Sequence, residues 1–344
     1  MNLLINKDCR LLVNFVMAFL LYMALMAIDM DLAVAAEEAG KSAPSRDQAK
    51  EIAILNTLLA TSNDKTDLAG AKIAIDRLID PAINSKEVLD RIDSLARNIG
   101  YRFPIGATSQ NKLEVLVASL ATPGPWNDYR PFTYDLNDPY GRNIKNKLIS
   151  TYLDSHKGNC VSMPILLVIL GQKLGINMAL ATAPEHILAK FKNDQGQWIN
   201  IEATSFGTKS DVSYQQDMGI SPKAMNNSIY LRPLDRRESI GVMMGTLMEF
   251  YGRNGQQQRR IDISRLALRV NSKDTFAMLQ IGNAYYKLMM QAKPTASDDE
   301  LAILRQKNVL WFRKAEALGW VEPTYAQDAS YIDTIKRTKF GAKE

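Results

Sequence analysis

The stretch Gly158-Asn159-Cys160-Val161-Ser162-Met163-Pro164-Ile165-Leu166-Leu167-Val168-Ile169-Leu170 decides how this chain folds. A glycine-containing turn passes into a run that is apolar on nearly every side, the pattern of a helix buried on most of its surface. The spacing predicts that helix over 161–174, with Gly175 ending it. Pro164 costs little if it lies in the first turn, whereas a helix starting at Cys160 would lose one backbone hydrogen bond there. Cys160 then stands at a helix N-terminus, where unpaired amides and the macrodipole favour an anion. The backbone amides of Asn159 and Cys160 are the expected donors to a developing oxyanion.

Working outward, two strands are expected at 178–183 and 187–191, joined near Pro184. Asn193-Asp194-Gln195-Gly196 signals a turn, and 197–203 is the return strand. With that turn centred between Asp194 and Gln195, facing residues sum to about 389, which sets His186 opposite Ala203 and within reach of Glu202. Side chains alternate along a strand, so Trp198, Asn200 and Glu202 share a face, and either Asn200 or Glu202 can orient the imidazole. Thiol, imidazole and carboxylate in this order are what nucleophilic acyl transfer requires. The imidazole takes the thiol proton and returns it to a leaving amine. The other histidine, His156, precedes the glycine and reads as a surface or capping residue. Two histidines without a second cysteine in the body of the chain make no structural zinc site, and no metal or cofactor is expected. A redox-sensing thiol would need a resolving cysteine that the body of the chain lacks.

These residues resemble the transglutaminase-like superfamily, whose core is a circular rearrangement of the papain-like cysteine hydrolase fold. Its members carry the cysteine at the start of a helix, the histidine on a following strand and an aspartate on the next, in a Gly-Trp then Asp-Pro-Thr context. Here Gly196-Gln197-Trp198 and Glu202-Ala203-Thr204 match that context, with glutamate in place of aspartate and alanine in place of proline. The match covers about 140–207. Asp67-Leu68-Ala69 and Val88-Leu89-Asp90-Arg91-Ile92-Asp93 also resemble the region before the core in one bacterial branch, whose members often lack the cysteine. The resemblance implies a Cys160, His186, Glu202 triad acting on amides through a thioester, as a peptidase, an amidase or a transglutaminase-like acyltransferase.

The N-terminus reads as an export segment over 1–36. Lys7 and Arg10 precede an uncharged run over 11–28, followed by Asp29, Asp31 and the small residues Ala33-Val34-Ala35-Ala36. A cleaved signal peptide is the first reading, and an uncleaved anchor is the second, because an apolar run of this length lies at the lower limit for spanning a bilayer. Both place the body on the exported side, periplasmic or anchored facing the periplasm. Cys9 lies in the segment and cannot pair with Cys160 in the exported body. A polar spacer follows over 37–48. The chain carries 42 basic and 37 acidic residues, and apart from Arg236-Arg237 and Arg259-Arg260 the bases are spread and not interleaved with aromatics, which argues against nucleic acid as a partner.

Amphipathic helices at about 46–60, 67–79 and from Asn84 through Leu95 form a helical lead-in over 49–122, with another short helix over 113–120. The transglutaminase-like core is expected over 123–237. It opens with an irregular stretch carrying Trp126, Tyr129, Phe132, Tyr134 and Tyr140, which either packs over the core or walls a substrate cleft. Over 238–344, Met244, Leu247, Met248 and Tyr251 recur 34 residues on as Met278, Ile281, Gly282 and Tyr285. That period resembles the tetratricopeptide repeat, with an excess near 291–304 interrupting the second unit. Two helical hairpins of this kind serve as a cap on the core or as a surface for a protein partner. The fold class is therefore α+β: a cysteine-bearing helix on an antiparallel sheet, a helical lead-in, and C-terminal helical hairpins. The alternative to an enzyme is a non-catalytic envelope module holding a peptide in the cleft and repeats.

Overall fold

A computed structural model describes residues 45–324. The expected export segment, Cys9 and most of the expected polar spacer lie outside the described residues. The chain divides into Met1–Ala49 and Lys50–Glu344; the described part of the first begins the helix α1 (Arg46–Ala60). No helix among the described residues is long and apolar enough to cross a membrane.

The lead-in follows its helical spacing closely. In α2 (Leu68–Ile79), Asp67 caps the first turn by accepting from the amides of Ala69 and Gly70; in α3 (Ser85–Gly100), Asn84 accepts from the amide of Glu87. Each helix begins where a polar side chain satisfies amides that have no helical acceptor. The stripe Val88, Ile92, Leu95, Ile99 of α3 faces inward and is buried. Thr108 and Asn111 make a reciprocal capping box at the start of α4 (Ser109–Ala121).

Hydropathy gives no sign of the next element. β1 (Thr133–Tyr134) pairs in parallel with β2 (Lys157–Gly158), which bridges α5 (Ile149–Ser155) and the cysteine. A side chain is excluded at Gly158, where a Cβ would stand 2.6 Å from Tyr152, 2.7 Å from Met163 and 2.8 Å from Ser162. The apolar run becomes α6 (Ser162–Lys173), buried continuously from Ser162 to Gly171.

A four-stranded antiparallel sheet runs in chain order through β3 (Met178–Ala183), β4 (His186–Lys192), β5 (Trp198–Glu202) and β6 (Gly207–Thr208). The β4–β5 register differs from expectation by one: Lys190 faces Asn200 and Ala189 faces Ile201, so partners sum to 390. The cause is the turn. Asn193 and Gln197 close a three-residue loop, with Asn193 N donating to Gln197 O at 2.9 Å and Gly196 at φ 80. A loop with glycine in the left-handed position is the usual three-residue hairpin. His186 thus lines up with Thr204 rather than Ala203, diagonal to Glu202 on the same face.

Alternation sorts the sheet into two sides. Leu180, Ala189, Phe191 and Ile201 join the main core with α6, while Ala181, Ala183 and Leu188 join a second core with Tyr214, Ile229 and Leu231. His186, Lys190, Asn200 and Glu202 share the parity of the second side. The outer edge of β3 is covered by the segment at 231–234, where Leu231 N donates to Thr182 O and Leu234 N to Leu180 O.

The rest is helical: α7 (Asp211–Met218), α8 (Pro222–Asn226), α9 (Arg236–Met243), α10 (Gly245–Arg253), α11 (Gln257–Val270), α12 (Thr275–Ala292) and α13 (Asp298–Leu318). All eight residues of the 34-residue recurrence are buried. The excess near 291–304 does not loop out; it lengthens the later pair, with 18 residues in α12 against 9 in α10 and 21 in α13 against 14 in α11. Met243, Met244, Leu247, Met248 and Tyr251 belong to the same core as α1 to α6.

Candidate active site

Three elements bring the expected residues together. Cys160 is half-buried on the short link between β2 and α6. Asn159 shapes that link: its Oδ1 accepts from Val161 N at 2.9 Å and Ser162 N at 3.2 Å, capping α6 from just before the cysteine. Of the two amides expected to receive an oxyanion, that of Asn159 donates to Ser162 Oγ at 3.2 Å. No hydrogen bond among the described residues occupies that of Cys160.

His186 opens β4 directly after the two-residue turn Pro184-Glu185, in which Glu185 sits at φ 53. Its Nε2 lies 2.9 Å from Glu202 Oε2, and the Cys160 side chain is near enough to help push the imidazole's pKa up. Asn200, the alternative orienting group, turns elsewhere: its Nδ2 donates to Lys209 O at 2.9 Å and Asp211 Oδ1 at 2.6 Å, and its Oδ1 is buried without a partner.

The electrostatics of the pair are those of an imidazolium and a carboxylate. Burial opposes the charge on His186, but the Glu202 carboxylate and the hydrogen bonds to Glu202 and Cys160 outweigh it and push the imidazole up to about 10. Burial likewise opposes the charge on Glu202, and His186, Thr204 and Tyr214 outweigh it and hold the carboxyl at about 2.

Four further side chains lie around these groups; the sequence offers Tyr134 only as core packing or a cleft wall and Thr204 only as motif context, and gives no sign of Tyr214 or Lys190. Thr204 donates to Glu202 Oε1 from its amide at 3.1 Å and its hydroxyl at 2.7 Å, and the Tyr214 hydroxyl donates to Oε2 at 2.7 Å. Tyr134 is buried, with its ionisation pushed up by burial and then by charge at Cys160 and Glu202. Lys190 lies beside Asn200 on the same sheet face, 3.7 Å from Asp211. Thr204 was visible in the sequence as part of the Glu-Ala-Thr context; a tyrosine on a separate short helix carries no such signal. Among the irregular aromatics, Phe132 is buried with Tyr134, Tyr129 and Tyr140 are exposed, and Trp126 lies under the Arg102 guanidinium at 3.4 Å. His156 ends α5 at φ 55, stacks on Phe132 at 4.0 Å and sets its Nδ1 against Arg130 O. No group of three or more His, Cys, Asp or Glu side chains among the described residues could hold a metal ion.

The structure thus brings together a cysteine just before a buried helix, a strand histidine and, hydrogen-bonded to it, a carboxylate on the next strand. The family model of the transglutaminase-like superfamily matches residues 86–247, so this part of the chain is similar to that family. The match extends beyond the 140–207 expected from motifs, reaching back to the start of α3 and forward into α10. No curated protein and no solved structure matches the chain.

Proposed function

We propose that this protein is an exported cysteine acyl-transfer enzyme acting on amide bonds of a peptide or protein substrate through Cys160, His186 and Glu202. The observation that carries the reading is the 2.9 Å hydrogen bond from His186 to Glu202, with Cys160 beside the imidazole, within the stretch that the transglutaminase-like family model matches. In this reading the Cys160 thiolate attacks the amide carbon, and the carbonyl electron pair moves to oxygen, where the Cys160 amide receives it. His186 delivers its proton to the amide nitrogen as the C–N bond breaks, so a neutral amine leaves and a thioester remains. Water or a second amine then attacks the thioester, gives its proton to His186 and displaces the thiolate. These steps call on no metal or cofactor.

The apolar segment over 11–28 and the small residues before Glu37 support export to the periplasm, with the body released or held by an uncleaved anchor. The burial of Met244, Leu247 and Met248 in the main core supports a capping role for the first repeat-like hairpin over a partner-binding one.

Alkylation of folded protein with iodoacetamide tests the proposal. Cys160 should react rapidly at neutral pH, and His186→Ala should remove most of that reactivity. A wild-type thiol that stays inert until the protein is unfolded would overturn the enzyme reading and leave the non-catalytic envelope module.

A further inference from the structure

A glutamate stands where the family pattern has aspartate, and its extra methylene adds a rotatable bond between backbone and carboxylate. An unrestrained glutamate would spread its carboxylate over several rotamers and present the imidazole with a poorly fixed acceptor. Here both oxygens are held. Oε1 accepts from the Thr204 amide at 3.1 Å and the Thr204 hydroxyl at 2.7 Å; Oε2 accepts from the Tyr214 hydroxyl at 2.7 Å beside the His186 bond at 2.9 Å. Tyr214 is fully buried on α7, and its ring lies under Lys209 at 4.6 Å, with Lys209 paired to Asp217 at 2.7 Å.

We propose that Tyr214 and Thr204 are positioning residues that clamp Glu202 and let a glutamate serve as the third member of the site. The inference rests on the Cys160, His186, Glu202 reading of the proposed function. Thr204 fixes the carboxylate from its own strand end, and Tyr214 fixes it from a separate helix, so the carboxylate plane is set from two directions. A buried carboxylate stays ionised only when donors offset its desolvation, and each lost donor makes protonation easier. The charged and titratable groups facing Glu202 are His186 on β4, Tyr214 on α7, Tyr134 on β1 and Cys160, with Lys190 further along the same sheet face and Asp211 at the start of α7 beside it. Burial and the Glu202 charge push Tyr214 ionisation up, which keeps its hydroxyl a donor throughout the working range.

The test is the pH profile of Cys160 alkylation in the full chain. Tyr214→Phe and Thr204→Val each remove one hydroxyl donor with little change of shape, and each should move the acid limb of the profile upward by about one to two units. Thr204→Ser keeps the hydroxyl and should restore the wild-type limb. Glu202→Asp should lower the rate, because the shortened carboxylate no longer reaches both clamping groups and the imidazole. If wild type and both variants share one acid limb, the clamp is overturned while the triad stands. If the wild-type thiol is inert, the triad reading fails and the inference falls with it. A change in melting temperature without a moved limb would assign the two residues to structure alone. Should Tyr214→Phe fail to fold, the Thr204 pair decides.

Discussion

Lys72 Nζ lies 2.5 Å from Asp76 Oδ1, and both side chains are fully buried one helical turn apart on α2. The pair fastens the lead-in to the domain: Lys72 also donates to Lys147 O at 2.9 Å, and Asp76 Oδ2 accepts from Ile149 N at 2.8 Å, so a carboxylate on α2 caps α5. Burial pushes the Asp76 carboxyl up while Lys72 pulls it down. Asp76→Asn leaves the Lys72 ammonium without its counter-charge, and breaking a buried pair from one side costs about 3–5 kcal/mol. Urea denaturation should show a loss of that size; a loss no larger than that of a surface substitution would mean the ammonium finds water.

Gly158 is where the chain has no room for a side chain. In Gly158→Ala the new Cβ would press on Tyr152, Met163 and Ser162 at 2.6–2.8 Å, and overpacking of this kind costs about 1–3 kcal/mol. Because Cys160 is two residues on, the strain displaces the thiol as well. Thermal melting should therefore fall together with the alkylation rate at neutral pH, and a variant that melts lower with an unchanged rate would show that the β2 link yields elsewhere.

Glu202 and Asn200 separate cleanly by partner. Glu202→Gln removes the charge that supports the imidazolium and should depress thiol reactivity far more than Asn200→Ala, whose lost bonds run to Lys209 and Asp211. The reverse order would move the site toward an asparagine-oriented arrangement.

The same pair makes a pH signature. Glu202 is depressed from 4.5, so its contribution to stability is full above 4.5 and is lost as pH falls toward about 2. His186 is raised from 6.5, so its contribution is full below 6.5 and is lost as pH rises toward about 10. The difference in melting temperature between wild type and Glu202→Gln should be widest between pH 4.5 and 6.5 and narrow on both sides. A difference that grows steadily toward alkaline pH would contradict the ion pair.

Cutting the chain before Ser239 removes α10 to α13 and most of α9. It strips Met243, Met244, Leu247, Met248 and Tyr251 from the main core, along with the Tyr251 hydroxyl that donates to buried Glu51 at 2.6 Å. The truncated protein should be insoluble. A soluble, thiol-reactive fragment would show that these helices do not cap the core, and a partner lost with them would then be sought by pull-down.

Much of this architecture is written in local patterns. The lead-in helices announce themselves through apolar spacing and caps at Asp67 and Asn84, and α6 through an apolar run from Met163 to Leu170 just after Cys160. Cysteine, histidine and carboxylate are legible because their order and turn signals are sequential. What escaped depends on contacts between distant segments. β1 and β2 are two residues each and pair across 24 positions, too short for any alternation to register. Nothing in the sequence marks Lys72 as buried; that follows only from its contacts with Asp76 and the 147–149 backbone. Tyr214 sits on a helix whose polar sequence, Asp-Val-Ser-Tyr-Gln-Gln-Asp-Met, gives no face to the core. The register slipped by one because Gly196, and not the centre of the Asn-Asp-Gln-Gly signal, sets the loop length.

The turn at Pro184-Glu185 has no slack. Ala183 pairs directly with His186, so the two strands are joined by the fewest residues that a hairpin uses. Removing either turn residue would draw His186 out of the ladder and into the bend, while β4 could not slide to compensate without turning Ala189 and Phe191 away from α6. An inserted residue would merely enlarge the bend. The imidazole is thus placed by a count of peptide units, and lineages descending from such a chain should tolerate lengthening of this hairpin but never its shortening.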